Sequence, residues 1–361
     1  MLNWNPTNKC DQNLNQCKFS KIKQLMFFSI FYALFIITMQ LLLNRYLSGN
    51  PDPFFENQWS LKHLSSGINA QKMWDYGEKL KQERSVTIAI IDTGVDFNNK
   101  ELTNRMWPSD NDKVDYDSYH GTMCAEIITA NHNNYGIEGI ASFLDLKIMS
   151  LKALSSQYSI GGGNIKSVIH AIKSAEKNGA DICNLSLGTD IHSPELYNTI
   201  RNSDMLFVTS SGNATTFRGA NIDKKPYYPA CFDFDNLISV TSTDQSGNLS
   251  TLANYGQHSI DLAAPGDNIP VIQANDDLIF VSGTSFAAPH VTGVAAVLYA
   301  FDKNLTPYQC KKYICDTVQT KESLYGKCKT SGIIDGYSAL KTLIQSKNGG
   351  DYSLTNYQFK L

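Results

Sequence analysis

Four residue settings in this chain could do chemistry. Asp92 closes the apolar run Ile88-Ala89-Ile90-Ile91 and is followed by Thr93-Gly94, which puts a carboxylate at a strand end before a tight turn. His120 opens the triplet His120-Gly121-Thr122, a helix start that Thr122 could help cap. Ser285 stands in Gly283-Thr284-Ser285-Phe286-Ala287-Ala288-Pro289, at the head of a long apolar stretch whose proline falls in the first helical turn. Asn213 ends Ser210-Ser211-Gly212-Asn213, just past another strand-like run. Singly, each has an ordinary reading: a turn aspartate, a structural histidine, an N-cap serine, a loop asparagine. Together they form a reaction set. A serine hydroxyl attacks poorly until a base takes its proton. Imidazole does this near neutral pH, and a carboxylate fixes the imidazole tautomer and steadies its charged form. An amide N–H and a helix N-terminus can then stabilise the oxyanion that forms.

The elements that would hold these residues alternate between strand and helix. Apolar β-branched runs predict strands at 85–91, 146–151, 181–185, 205–209 and 237–241. Helices are predicted at 120–130, 164–178, 194–202 and 285–301. In the second of these, Ile165, Val168, Ile169, Ile172 and Ala175 make one stripe at helical spacing. This alternation predicts an α/β fold with a mostly parallel sheet covered on both faces, and active groups at the carboxyl ends of its strands. The chain has 361 residues, 42% hydrophobic, with 31 basic against 34 acidic residues and a net charge of −3. That excludes a disordered chain and, with no basic block, a nucleic-acid partner. No repeat indicates a solenoid or propeller.

The motifs IDTGVD around Asp92, HGT at His120, NLSLG from Asn184, SSGN ending at Asn213, YPA from Tyr228, APG from Ala264 and GTSFAAPHVTG around Ser285 resemble, in order and spacing, the subtilisin-like serine protease (subtilase, peptidase S8) family. The resemblance spans about residues 58–346. It implies a three-layer α/β/α domain with a mostly parallel seven-stranded sheet, and a serine endopeptidase that cleaves protein or peptide substrates through an acyl-enzyme. Ser285 would be the nucleophile, His120 the base and then the acid, Asp92 the orienting carboxylate, and Asn213 the oxyanion donor. Ser186, Leu187 and Gly188 would form the edge on which an extended substrate pairs. Ser211 and Gly212 would help wall the pocket for the residue before the scissile bond. His290 is read as structural. Met123 stands where the family usually has a second histidine, HGTH. A second reading is a catalytically silent relative that binds peptides in the same groove.

The chemistry needs no cofactor, but the resemblance implies a structural calcium ion. Asn133 would lie in its loop (131–137), and Gln58 and Glu101 would supply further oxygens. Asp223 is expected to be a solvated loop residue. Cys310, Cys315 and Cys328 cluster closely enough for one disulfide, in any of three pairings, while Cys124 and Cys183 are expected to be buried thiols. Residues 25–43, LMFFSIFYALFIITMQLLL, are uncharged; as a helix they would span about 28 Å. Lys18, Lys21 and Lys23 precede them and only Arg45 follows, which predicts a single-pass anchor with the catalytic domain extracytoplasmic. Were the segment cleaved as a signal, the product would be secreted. The expected layout is a cytosolic tail (1–24), the anchor (25–43), a linker (44–57) too short for a folding propeptide, a monomeric peptidase domain (58–346) and a C-terminal tail (347–361).

Overall fold

The computed structural model describes residues 51–62, 65–108, 118–155, 162–215 and 217–349. The expected tail, the anchor at Leu25–Leu43, and the end of the C-terminal segment lie outside the described residues. The first strand, β1 (Val86–Asp92), is buried on both faces. Ile88 and Ile90 face one core, and Ala89 and Ile91 face the other. This is why its sequence reads as an unbroken apolar run and not as an alternation. Next come α1 (His120–Thr129), β2 (Leu146–Lys152), α2 (Ile165–Lys177), β3 (Ile182–Leu185), α3 (Pro194–Arg201), β4 (Leu206–Ser210) and β5 (Leu237–Thr243). β6 (Leu262–Pro265) and α4 (Thr284–Phe301) complete the elements around the site. Caps set several helix starts: the Asn164 side chain accepts from the Lys166 N–H, and Ser193 accepts from the Leu196 N–H with Pro194 at the first helical position.

The sheet has eight strands among the described residues. Seven run parallel, in the order β8 (Gly332–Ile333), β6, β5, β4, β3, β1, β2. The other, β7 (Gln319–Thr320), is a two-residue antiparallel edge on β8. The sheet is mostly parallel, as expected, but has eight strands where seven were expected. Helices α2 and α3 pack on one face of the sheet, with Val168, Ile172, Leu196 and Ile200 against Cys183, Leu185 and Phe207. Helices α1 and α4 pack on the other, with Ala125, Ile128, Val291 and Val294 among the core residues. The chain leaves β1 toward β2 on one side and returns to β3 on the other, so the order reverses at β1. The carboxyl ends of β1 and β3 flank this switch point, where open α/β sheets place their ligands.

Helix α4 is long and apolar enough to cross a membrane by composition, yet 94% of it is buried inside the domain. It is a core helix. It begins at Thr284 with Gly283 as its N-cap, so Ser285 sits in the first turn and is not the cap. Pro289, expected in the first turn, lies deeper, inside the helix. Cys124 and Cys183 are buried free thiols, as expected. Cys310, Cys315 and Cys328 are free thiols, and no disulfide forms among the described residues.

Candidate active site

The site is built on the turn that follows β1. Gly94 has φ +93°, a conformation that disfavours other residues, and it folds the chain back over the strand end. Gly121 meets it from α1: a methyl group there would lie 2.3 Å from the Gly94 carbonyl oxygen and 3.1 Å from Asp92 Cβ. The glycine after His120 thus allows the helix to start directly over the aspartate. Thr93 ties the two together, accepting from the Gly121 N–H at 3.2 Å and donating to the Ser118 carbonyl at 2.9 Å. Thr122 does not cap α1; its hydroxyl accepts from the Asp96 N–H at 2.9 Å.

This framework brings His120 Nδ1 to 2.8 Å and 3.0 Å from the two carboxylate oxygens of Asp92. Asp92 is fully buried and also accepts the Thr93 N–H at 2.7 Å. Burial of the imidazole works against its charged form, but the charge of Asp92 and its hydrogen bond outweigh this and raise the His120 pKa above the ordinary histidine value. The ring packs on Phe286, 5.4 Å between centroids, beside Ser285.

Ser285 is half-buried, and its hydroxyl donates to the Ser186 carbonyl at 3.3 Å. Its own carbonyl faces a gap in the helix ladder, because the residue four positions on is Pro289, which has no N–H. Two side chains fill the gap. Ser186 Oγ donates to this carbonyl at 2.7 Å, and Cys124 Sγ lies 3.6 Å away. Ser186 Oγ in turn accepts from Asn184 Nδ2 at 3.0 Å, and Asn184 Oδ1 accepts from Thr292 at 2.9 Å. Burial pushes the Cys124 thiol far up, so it stays protonated and donates. A buried polar chain therefore holds the first turn of α4 to the end of β3. Sequence reasoning placed Ser186 only on a substrate edge and missed this second task, although Pro289 four residues after Ser285 signalled an orphaned carbonyl.

Asn213 is exposed beyond the end of β4. Its Oδ1 accepts from the Thr284 N–H at 3.0 Å, which leaves the amide nitrogen as the end that can donate. Leu187 and Gly188 are half-buried, while Ser211 and Gly212 are buried. Ser211 donates to the Asn254 carbonyl at 2.7 Å, and Asn254 Nδ2 returns a bond to the Ser211 carbonyl at 3.1 Å. His290 is buried within α4, and its Nδ1 bonds to the Phe286 carbonyl at 2.8 Å. Burial depresses its pKa to about 4, so it is a neutral core residue. Asp223 is not simply solvated; it accepts the N–H groups of His258 and Ser259.

The expected metal loop has its own geometry. Gln58 spends both ends of its amide on the Glu138 backbone. Glu101 is fully buried: Oε1 accepts the Ile137 N–H at 2.7 Å, while Oε2 is buried without a hydrogen-bond partner. Asp52, missed by sequence reasoning, accepts the Asn133 N–H at 3.1 Å through Oδ1, and its Oδ2 is likewise buried without a partner. The Asn133 side-chain oxygen accepts from the Tyr135 N–H. Burial, reinforced by neighbouring carboxylates, raises Glu101 to about 9 and Asp52 to about 6.

Residues 83–340 match the subtilase family (Peptidase S8), and the chain belongs to that family. It is 34% identical over 260 residues to thermitase of Thermoactinomyces vulgaris, covering 68% of this chain and 84% of that protein. It is 34% identical over 230 residues to a thermophilic serine proteinase of Bacillus sp. (strain AK1), covering 60% of this chain but 53% of the relative. Against subtilisin-like protease 3 of Plasmodium falciparum it is 31% identical and spans 31% of that protein's length. Among solved structures, a cold-adapted subtilisin-like serine proteinase superposes with a TM-score of 0.58 at 26% identity, covering 71% of this chain and 90% of the other. A protease of Pseudoalteromonas arctica shares the fold, with a TM-score of 0.65 at 24% identity over 82% of this chain and all of that one.

Proposed function

We propose that this protein is a serine endopeptidase working through Ser285, His120 and Asp92. The observation that carries the reading is the buried Asp92 carboxylate holding His120 Nδ1 at 2.8 Å, while the imidazole packs on Phe286, the residue that follows Ser285. In the reaction the Ser285 hydroxyl would exchange the Ser186 carbonyl for the outer nitrogen of the ring. His120 then accepts its proton as the oxygen attacks a peptide carbonyl. Asn213 Nδ2 and the backbone N–H of Ser285 stabilise the resulting oxyanion. The imidazolium next protonates the leaving amine, and water, activated by the same base, releases the acyl group. The substrate strand would pair along 186–188.

Two further readings accompany this one. The buried, partnerless oxygens of Glu101 and Asp52 beside the Asn133 loop suit a hard divalent cation, and we assign calcium to them as a structural ion. The uncharged segment Leu25–Leu43 would anchor the chain with the peptidase domain outside the cell.

The deciding experiment is the Ser285→Ala variant of the full chain, tested with a fluorescent fluorophosphonate and a protein substrate. Wild type should label and hydrolyse; the variant should do neither while keeping the same circular dichroism. A folded wild-type protein that takes no label yet binds peptide would instead be a silent peptide-binding relative.

A further inference from the structure

We propose that Tyr227 fills the slot that receives the substrate side chain immediately before the scissile bond, restricting that residue to glycine, alanine or serine. The inference rests on the protease reading and adds a substrate class to it.

The attacked carbonyl must lie beside Ser285 Oγ and the amide of Asn213. Two backbone segments run away from that point. One is 186–188, whose first carbonyl bonds the Ser285 hydroxyl. The other is 211–213, which ends at the oxyanion donor. A side chain on the carbon next to the attacked carbonyl enters the gap between them. Each segment carries a glycine there, Gly188 and Gly212, and the Tyr227 ring lies against both. A methyl group on Gly188 would sit 2.2 Å from Tyr227 Cε1, and one on Gly212 would sit 2.5 Å from the same atom. Apolar contact needs about 4 Å. The ring edge therefore already occupies the space that two glycines would otherwise leave to a ligand.

The tyrosine is held by its backbone on both sides. Tyr228 and Thr189 exchange two hydrogen bonds, at 2.7 Å and 2.8 Å. The Tyr227 carbonyl accepts from the Cys231 N–H at 2.9 Å, and its own N–H reaches Cys231 Sγ at 3.3 Å. Burial, with the Asp190 charge nearby, raises the phenol pKa, so the hydroxyl stays neutral. A methyl or hydroxymethyl group needs little depth. A leucine, phenylalanine or lysine side chain would have to displace the ring.

The test compares peptides that differ only at this residue, cleaved by the full-length protein. We expect kcat/KM for alanine to exceed that for phenylalanine by about 100-fold, because a steric block opposes the larger group. Tyr227→Ala should bring the two within about tenfold by raising the phenylalanine value, an opened slot being able to bind the ring. Tyr227→Phe, which keeps the ring, should keep the alanine preference. A wild-type preference for phenylalanine or leucine overturns the proposal whatever the variants do, as does an unchanged ratio in folded Tyr227→Ala. Failure to hydrolyse any peptide would fault the protease reading. The slot is then read by fluorescence anisotropy, with alanine-ended peptides binding more tightly than phenylalanine-ended ones; equal binding would overturn it.

Discussion

At the scale of single residues, the site depends on a defect in its own helix. Pro289 withholds the N–H that the Ser285 carbonyl would accept, and Ser186 supplies the missing donor across the gap at 2.7 Å. Ser186→Ala should therefore lower stability by about 1–3 kcal/mol, the cost of leaving a buried acceptor without its main partner. Combining it with Pro289→Ala, which restores a backbone donor four residues on, should recover part of that loss. A thermal or urea double-mutant cycle measures the coupling, and strict additivity would refute the link. His120 carries a measurable signature as well. Asp92 holds the imidazolium, so the ring keeps its proton above the ordinary histidine pKa. Catalysis needs the neutral ring, so kcat/KM should fall as pH drops through a single ionisation that lies above about 6.5. Asp92→Asn should remove the charge that raises it and cost orders of magnitude in rate; a pH profile flat through neutrality in wild type would contradict the assignment.

Among the elements, the segments around Asp52, Glu101 and Asn133 carry the electrostatic tension. Without an ion, Glu101 holds its proton to about pH 9 and Asp52 to about pH 6, whereas the unfolded chain releases both near the ordinary carboxylate values. Across that window the folded state binds more protons than the unfolded one, so stability in chelator should fall as pH rises from about 5 to 8.5. Calcium must displace those protons, and its stabilising effect should grow over the same range. Differential scanning fluorimetry with calcium or EGTA would show this; Glu101→Gln should flatten the pH trend in chelator, and a calcium shift of zero at every pH would exclude the ion. The elements also show what could be read in advance. Most elements of the parallel sheet and the helices nearest the site were legible, because long apolar runs and capping residues announce them. β6 was not, since it is a four-residue strand ending at Pro265, and β8, a two-residue strand, offers too little pattern to read. Asp92, His120 and Ser285 were legible through their flanking glycines. Asp52, Tyr227 and the contacts of the buried thiol Cys124 were not, because each acts only through neighbours far away in sequence.

For the molecule as a whole, the anchor reading makes a simple demand. The full chain should sediment with membranes and resist alkaline carbonate, and removing residues 25–43 should release a protein that still reacts with fluorophosphonate. Release of the intact chain by carbonate would sink the anchor. Most of the domain wraps around α4, whose length and composition resemble a membrane span while its surroundings bury it. That arrangement has a temporal side. The attacking hydroxyl rides on a segment emerging late from the ribosome, long after the acid and the imidazole have been made. A half-finished chain thus holds two members of the reaction set and no weapon, and in the proposed reading the protein becomes capable of cutting other chains, or its own copies, only once its interior has closed.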